Sequence, residues 1–214
     1  MAERKRPRRT RERILETALA LFNRLGEPNT TTADIADEMG ISPGNLYYHF
    51  RSKDEIIAEL FAAFERRLDG VLAAPEQRAV SIEDLWLLLH LLFEAMLDHR
   101  FFFRDLDEIL SRNRALPSRF ALLMRRSTRT VIELCRGLVA AGAMHASERE
   151  IEALAENIGL VATYWISYQQ LRAGGQWGSG VSLDRAAYQV LALISPFLRG
   201  DARALVERLG SEYL

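Results

Sequence analysis

Residues 30–53, TTTADIADEMGISPGNLYYHFRSK, carry the punctuation of two short helices joined by a tight turn, and the rest of the chain has to be arranged around them. Thr31 opens a T-x-x-D pattern closed by Asp34. This is a capping box, in which hydroxyl and carboxylate each take one orphan amide of a starting helix. Ile35, Ala36 and Met39 form an apolar stripe, and Gly40 then supplies the positive φ that lets the chain leave the helix sharply. Ser42 suits the cap of a second helix and Pro43 its first position, where a missing N–H costs nothing. The second helix is predicted as PGNLYYHF.

Within it Leu46 and Phe50 stand four apart and face inward, which spreads Gly44, Asn45, Tyr47, Tyr48 and His49 over the remaining surface. No acid lies between Ser42 and Phe50. Small residues at the start, an amide, two phenols and an imidazole suit a helix lying in the major groove of DNA. Taken alone, the pattern fits equally an ordinary helical hairpin with a polar outer face.

The longer stretch TTTADIADEMGISPGNLYYHFRSKDEII resembles the DNA-binding segment of the TetR family of bacterial one-component regulators. That pattern runs T-T, I-A, a turn Gly, S-x-G, L-Y-x-H-F and then S-K. The likeness includes the preceding helix and covers roughly the first third of the chain. It implies an all-α protein: an N-terminal three-helix helix-turn-helix DNA-binding domain plus a C-terminal helical ligand-binding and dimerisation domain. It also implies a homodimer formed by a symmetric pair of helices, a near-palindromic double-stranded operator, and a small-molecule effector of unknown identity. On this reading direct base contact falls to Ser42, Pro43, Gly44 and Asn45, and phosphate contact to Thr31, Thr32, Tyr47, Tyr48, His49 and Lys53. The expected division is a basic arm over 1–9, the DNA-binding domain over 10–52, a connecting helix over 53–74 and the effector and dimerisation domain over 75–214.

Charge placement agrees with a localised nucleic-acid contact. The chain of 214 residues has a net charge of −1, which argues against coating nucleic acid over its whole surface. From Met1 to Arg13, however, there are seven basic residues and two acids. Such an arm is either a solvated, disordered tail or a device that neutralises phosphates and enters the minor groove. No apolar run follows it, so it is not a signal peptide. The longest apolar stretch, Leu85 to Leu97, is too short to span a membrane and contains His90 and Glu94. Cys135 is the only cysteine, which excludes an internal disulfide and a Cys-based zinc site and makes the cytoplasm the natural compartment.

The remaining pattern is helical throughout. A first helix is predicted from Thr10 to Leu25, with Ile14, Leu15, Ala18, Leu21, Phe22 and Leu25 on one face, bracing the turn-helix pair. Ser52 with Glu55 forms a second capping box for a helix that Pro75 ends, and Lys53 at its start is an exposed cation within reach of a phosphate. Ser81 with Asp84 opens a helix apolar around its circumference, and one helix follows from Phe101 towards Pro117. A long amphipathic helix runs from Ser118 to Ala141, and Ser147 with Glu150 caps another. GGQWGSG, 174–180, is the clearest loop, ahead of RAAYQVLALISPFLR and a last short helix after Asp201. No period-two alternation is long enough for a sheet.

An enzyme is not expected. The four histidines are scattered, without a metal-binding or phosphate-binding motif. His99 beside Asp98, near Asp105, Asp107 and Glu108, is either a metal site or, as solvated helix ends usually are, nothing of the kind. No cofactor and no metal are expected. Cys135 reads as a small buried hydrophobe. Candidate walls of an effector pocket are Trp86, His90, Phe93, Phe103, Phe120, Met124, Tyr164, Trp165 and Tyr168, each with plain core packing as its alternative. Leucines and aromatics suggest an apolar effector, whereas a buried Arg104 or His90 would suit an acid. Ile158, Ala162, Trp165 and Gln169, with Tyr188, Leu191, Leu193 and Phe197, offer more apolar surface than one bundle needs and form the expected dimer face. The expected function is a homodimeric repressor released from its operator by a small molecule. An activator, or an interaction module with little DNA binding, is the alternative.

Overall fold

The computed structural model describes residues 5–72, 79–172, 174 and 183–211. The described residues fold into eleven α-helices and no strand: α1 (Lys5–Leu25), α2 (Thr32–Met39), α3 (Pro43–His49), α4 (Lys53–Val71), α5 (Ile82–Asp98), α6 (Arg100–Arg104), α7 (Leu106–Arg112), α8 (Leu116–Ala140), α9 (Glu148–Arg172), α10 (Leu183–Ile194) and α11 (Gly200–Ser211). The expected loop 174–180 and Pro75 lie, Gly174 apart, outside the described residues.

Two compact units divide the chain: Met1–Arg67 with Asp98–Pro117, and Leu68–Leu97 with Ser118–Leu214. The effector domain expected over 75–214 is therefore not continuous, because residues 98–117 fold with the N-terminal helices. The reason lies in three consecutive phenylalanines. Successive residues of a helix point about 100° apart, so burying Phe101, Phe102 and Phe103 together requires α6 to be surrounded. Phe101 meets Phe22 at 5.2 Å between ring centroids, Phe102 meets Phe61 edge-on at 5.4 Å, and Phe103 meets Phe64 at 5.7 Å. Phe103, expected among the effector walls, is thus packed in the core of the first unit. His99 is also buried, beside Phe64 at 5.3 Å and Phe102 at 6.5 Å, so it is not a solvated helix end.

Three local expectations change. The first helix begins at Lys5 and takes in much of the basic arm. Pro7 falls in its first turn, where the amides have no intrahelical partner to lose. The single helix expected after Phe101 breaks at Asp105, whose backbone leaves the helical region (φ −108°, ψ 23°). Its carboxylate accepts instead from the Glu27 amide at 2.9 Å and from the Arg104 guanidinium. On α5, seven residues from Ile82 to Met96 are buried, yet Leu87, His90 and Leu97 are exposed, so this helix has one free face.

In the second unit α8, α9 and α10 supply the core through Val131, Leu134, Leu138, Ile151, Leu154, Ile158, Ile166, Val190 and Ile194. The Thr130 hydroxyl donates to the Leu72 carbonyl at 3.0 Å, which ties α8 to the end of α4. The box expected at Ser147 forms, with both the Ser147 amide and hydroxyl donating to Glu150 at 2.7 Å.

Candidate nucleic-acid interface

Helix α2 starts as its capping box requires. The Asp34 amide donates to Thr31 Oγ1 at 3.2 Å, and the Thr31 amide and hydroxyl both donate to Asp34 Oδ2 at 2.7 Å. Those bonds hold the Asp34 carboxyl below its ordinary pKa, with a smaller contribution from the Lys53 charge. Gly40 ends the helix at φ 63°. A Cβ at Gly40 would meet nothing within 4 Å, so conformation alone, and not space, selects glycine there.

Helix α3 is fastened at both ends. Ser42 Oγ accepts from the Asn45 amide at 3.2 Å, and Leu46 and Phe50, both fully buried, anchor the inner face. The far side is left to solvent: Ser42, Pro43, Gly44, Asn45, Tyr47 and Tyr48 are exposed, and Tyr48 is 80% accessible. A Cβ added at Gly44 would approach only Ser42 Oγ, at 4.0 Å, so nothing inside the chain requires a glycine at this exposed position. Acidic groups gather elsewhere in the unit. Asp34, Asp37 and Glu38 rim a groove of about 460 Å³ over Leu21 and Leu25, and Leu25, expected in the core, is half exposed there.

Two predicted phosphate contacts, Thr32 and Tyr47, have their hydroxyls bonded to one another at 3.0 Å. His49 is half-buried and its ring meets that of Tyr48 edge-on at 5.1 Å. Lys53 departs from the exposed cation expected. Its ammonium donates to the carbonyls of Glu27 at 3.0 Å and Thr30 at 2.9 Å, and stands 2.8 Å from Glu27 Oε1. The carboxylate contact is ionic and not an aligned hydrogen bond, since Glu27 Oε1 has no hydrogen-bond partner. Glu27 is fully buried, and its other oxygen accepts from Arg112 of α7 at 2.5 Å. Sequence reasoning missed Glu27, because one acid between a glycine and a proline has no pattern.

The remaining effector candidates lie on α5, α8 and α9 of the second unit. Trp86 stacks on the exposed His90 at 5.2 Å, while Phe93 and Phe120 are core. Met124 receives the Thr163 hydroxyl at 3.6 Å, linking α8 to α9. Tyr164 and Tyr168 are exposed, and Trp165 lies against Tyr168 at 5.7 Å. No group of His, Cys, Asp and Glu among the described residues is arranged to hold a metal ion. No described helix is long and apolar enough to cross a membrane.

A capped brace, a glycine turn and a short helix with an acid-free polar face define a helix-turn-helix DNA-binding protein. Residues 14–60 match the family model described as bacterial regulatory proteins of the tetR family, and 63–206 match that described as bacterial transcriptional repressor. The chain belongs to the TetR family of DNA-binding transcriptional regulators. It is 30% identical to the HTH-type transcriptional repressor KstR2 of Rhodococcus jostii (strain RHA1), over 86% of this chain and 88% of that one. A TetR-family regulator from Marinobacter aquaeolei VT8 superposes with a TM-score of 0.84 at 35% identity, covering 95% of this chain and 98% of the other. The SmeT–triclosan complex shares the fold, with a TM-score of 0.60 at 19% identity over 90% of this chain and 93% of that one.

Proposed function

We propose that the chain is a homodimeric repressor whose α3 reads one half of a near-palindromic operator and whose second unit releases it on binding a small molecule. The observation that carries the reading function is the exposed, acid-free face from Ser42 to Tyr48, with a glycine that the fold itself does not need. Ser42, Pro43, Gly44 and Asn45 take the base edges. Thr31, Thr32, Tyr47, Tyr48 and His49 take the flanking phosphates. Lys53 is withdrawn from that set, because its ammonium is engaged within the protein.

The dimer face differs from the one the sequence suggested. Ile158, Ala162 and Leu191 are buried within the chain. The free apolar stripe of α9 is instead Leu160, Tyr164, Tyr168 and Leu171, at successive one-turn spacings and 44–79% exposed. A second copy covering this stripe would remove it from water and place two reading heads on one duplex. Effector binding is assigned to the second unit, through Trp86, His90, Phe93, Phe120, Met124 and Trp165. The signal travels by a shift of population between DNA-competent and DNA-incompetent states, with α4 contributing residues to both units.

Selection of duplexes from a randomised library by the full chain tests the reading. Enrichment of a two-fold related pair of half-sites is expected, and no enrichment overturns it. Sedimentation at micromolar concentration is expected to show a dimer that Leu160→Glu dissociates. A monomer for the unaltered chain overturns the interface.

A further inference from the structure

The C-terminal end of α3 is held by a residue of the basic stretch Met1 to Arg13. Arg11 of α1 donates from Nη1 to the His49 carbonyl at 3.0 Å and from Nη2 to Glu59 Oε1 of α4 at 2.7 Å. Its guanidinium carbon lies 4.1 Å from the centroid of the Phe50 ring. One planar group thus touches the last residue of α3, the residue that ends it, and the helix that follows.

A seven-residue helix does not hold its own orientation in water. Its last carbonyls lack intrahelical donors, and a cation beside them opposes the partial negative charge of that end. The Leu46 carbonyl is taken by the Phe50 amide at 2.9 Å, and the His49 carbonyl is taken by Arg11. Ser42 fixes the other end, and Leu46 is the pivot between them. Arg9 and Arg13, by contrast, are exposed. We infer that Arg11 is a positioning residue for sequence reading, setting the angle at which α3 presents Gly44 and Asn45, rather than a phosphate contact. This rests on the reading function proposed above.

A lysine keeps the charge but cannot serve the carbonyl, the carboxylate and the ring face with one rigid fork. The experiment uses the full chain, the duplex selected by the unaltered protein and a scrambled duplex of equal length, with Arg11→Met, Arg11→Lys and Glu59→Gln. Arg11→Met is expected to lose about tenfold on the selected duplex, the cost of a misplaced base contact, with a much smaller change on the scrambled one. The salt dependence stays as it was, and Arg11→Lys does not restore affinity. Glu59→Gln is expected to weaken specific binding although it removes a negative charge, where simple electrostatics would strengthen it.

Equal loss on both duplexes, a salt slope lower by about 0.9 and rescue by lysine would identify a phosphate contact and overturn the inference. Unchanged specific binding by Glu59→Gln overturns it as well, and that variant decides the matter if Arg11→Met does not fold. Failure of the unaltered chain to enrich any duplex removes the reading function itself, a result seen before any variant is made.

Discussion

The hydroxyls of Thr32 and Tyr47 meet at 3.0 Å, joining the first turn of α2 to the outer face of α3. On the proposed reading both residues contact a phosphate, and each hydroxyl can donate one hydrogen and accept others. In the free protein they satisfy each other. On DNA, a phosphate oxygen can accept from one while the other holds it in place. Thr32→Ala and Tyr47→Phe are therefore expected to act as a unit in DNA affinity. The double variant should lose little more than either single one, measured as a double-mutant cycle. Because neither residue is charged, the salt slope should not move. Additive losses would show two separate contacts.

Glu27 joins the α1–α2 corner to both α4 and α7 through Lys53 and Arg112. Removing one member of a fully buried charge cluster costs about 3–5 kcal/mol. Here Arg112 is 40% exposed and water can take up part of its charge. Glu27→Gln is thus expected to lower stability by roughly 1–3 kcal/mol, read as a shift in the urea midpoint without a change of slope. Lys53→Met should likewise destabilise and leave the salt dependence of DNA binding unchanged. A salt slope lower by about 0.9 would instead return Lys53 to the phosphates.

Burial pushes the Cys135 thiol from 9.0 up to about 11. The thiolate is the reactive form. Labelling by a disulfide reagent near pH 8 is therefore expected to run roughly 100-fold slower in the folded chain than in urea. The sign for stability follows from the same burial. The neutral thiol is favoured in the folded state, so its contribution is intact below the unfolded value and fades as pH rises from about 9 to about 11. Equal labelling rates in both states would mean that the thiol is accessible.

What could be read from the sequence was what local chemistry decides. Thr31 with Asp34, Gly40, and Ser42 with Pro43 fix helix ends within a few residues, and the structure has each of them. Leu46 and Phe50 were assignable because four-residue spacing puts them on one face. What could not be read depends on partners far along the chain. Lys53 is engaged by Glu27 and Thr30, 26 and 23 residues away, and Arg11 by His49 and Glu59, 38 and 48 away. A cation looks the same in sequence whether it faces solvent or a distant carbonyl. The effector walls were hardest, since an aromatic residue obeys the same spacing in a core, a pocket or a dimer stripe. Phe103, Phe93 and Tyr164 ended in different surroundings.

Gly44 separates the needs of the fold from those of the interface. It is the second residue of α3, and a methyl group there would meet only Ser42 Oγ, at 4.0 Å. Glycine in a helix costs roughly 0.5–1 kcal/mol relative to alanine, through the extra freedom of the unfolded chain. Gly44→Ala is therefore expected to leave the free protein as stable as before or up to about 1 kcal/mol more stable, seen as a raised unfolding midpoint. If α3 enters the major groove by its N-terminal turn, the same methyl stands between backbone and base edges. Affinity for the selected duplex should then fall about tenfold or more while stability rises. Opposite signs in the two measurements are what a residue kept for an outside partner must show. A variant that gains stability and binds the duplex unchanged would place the reading surface elsewhere on the head.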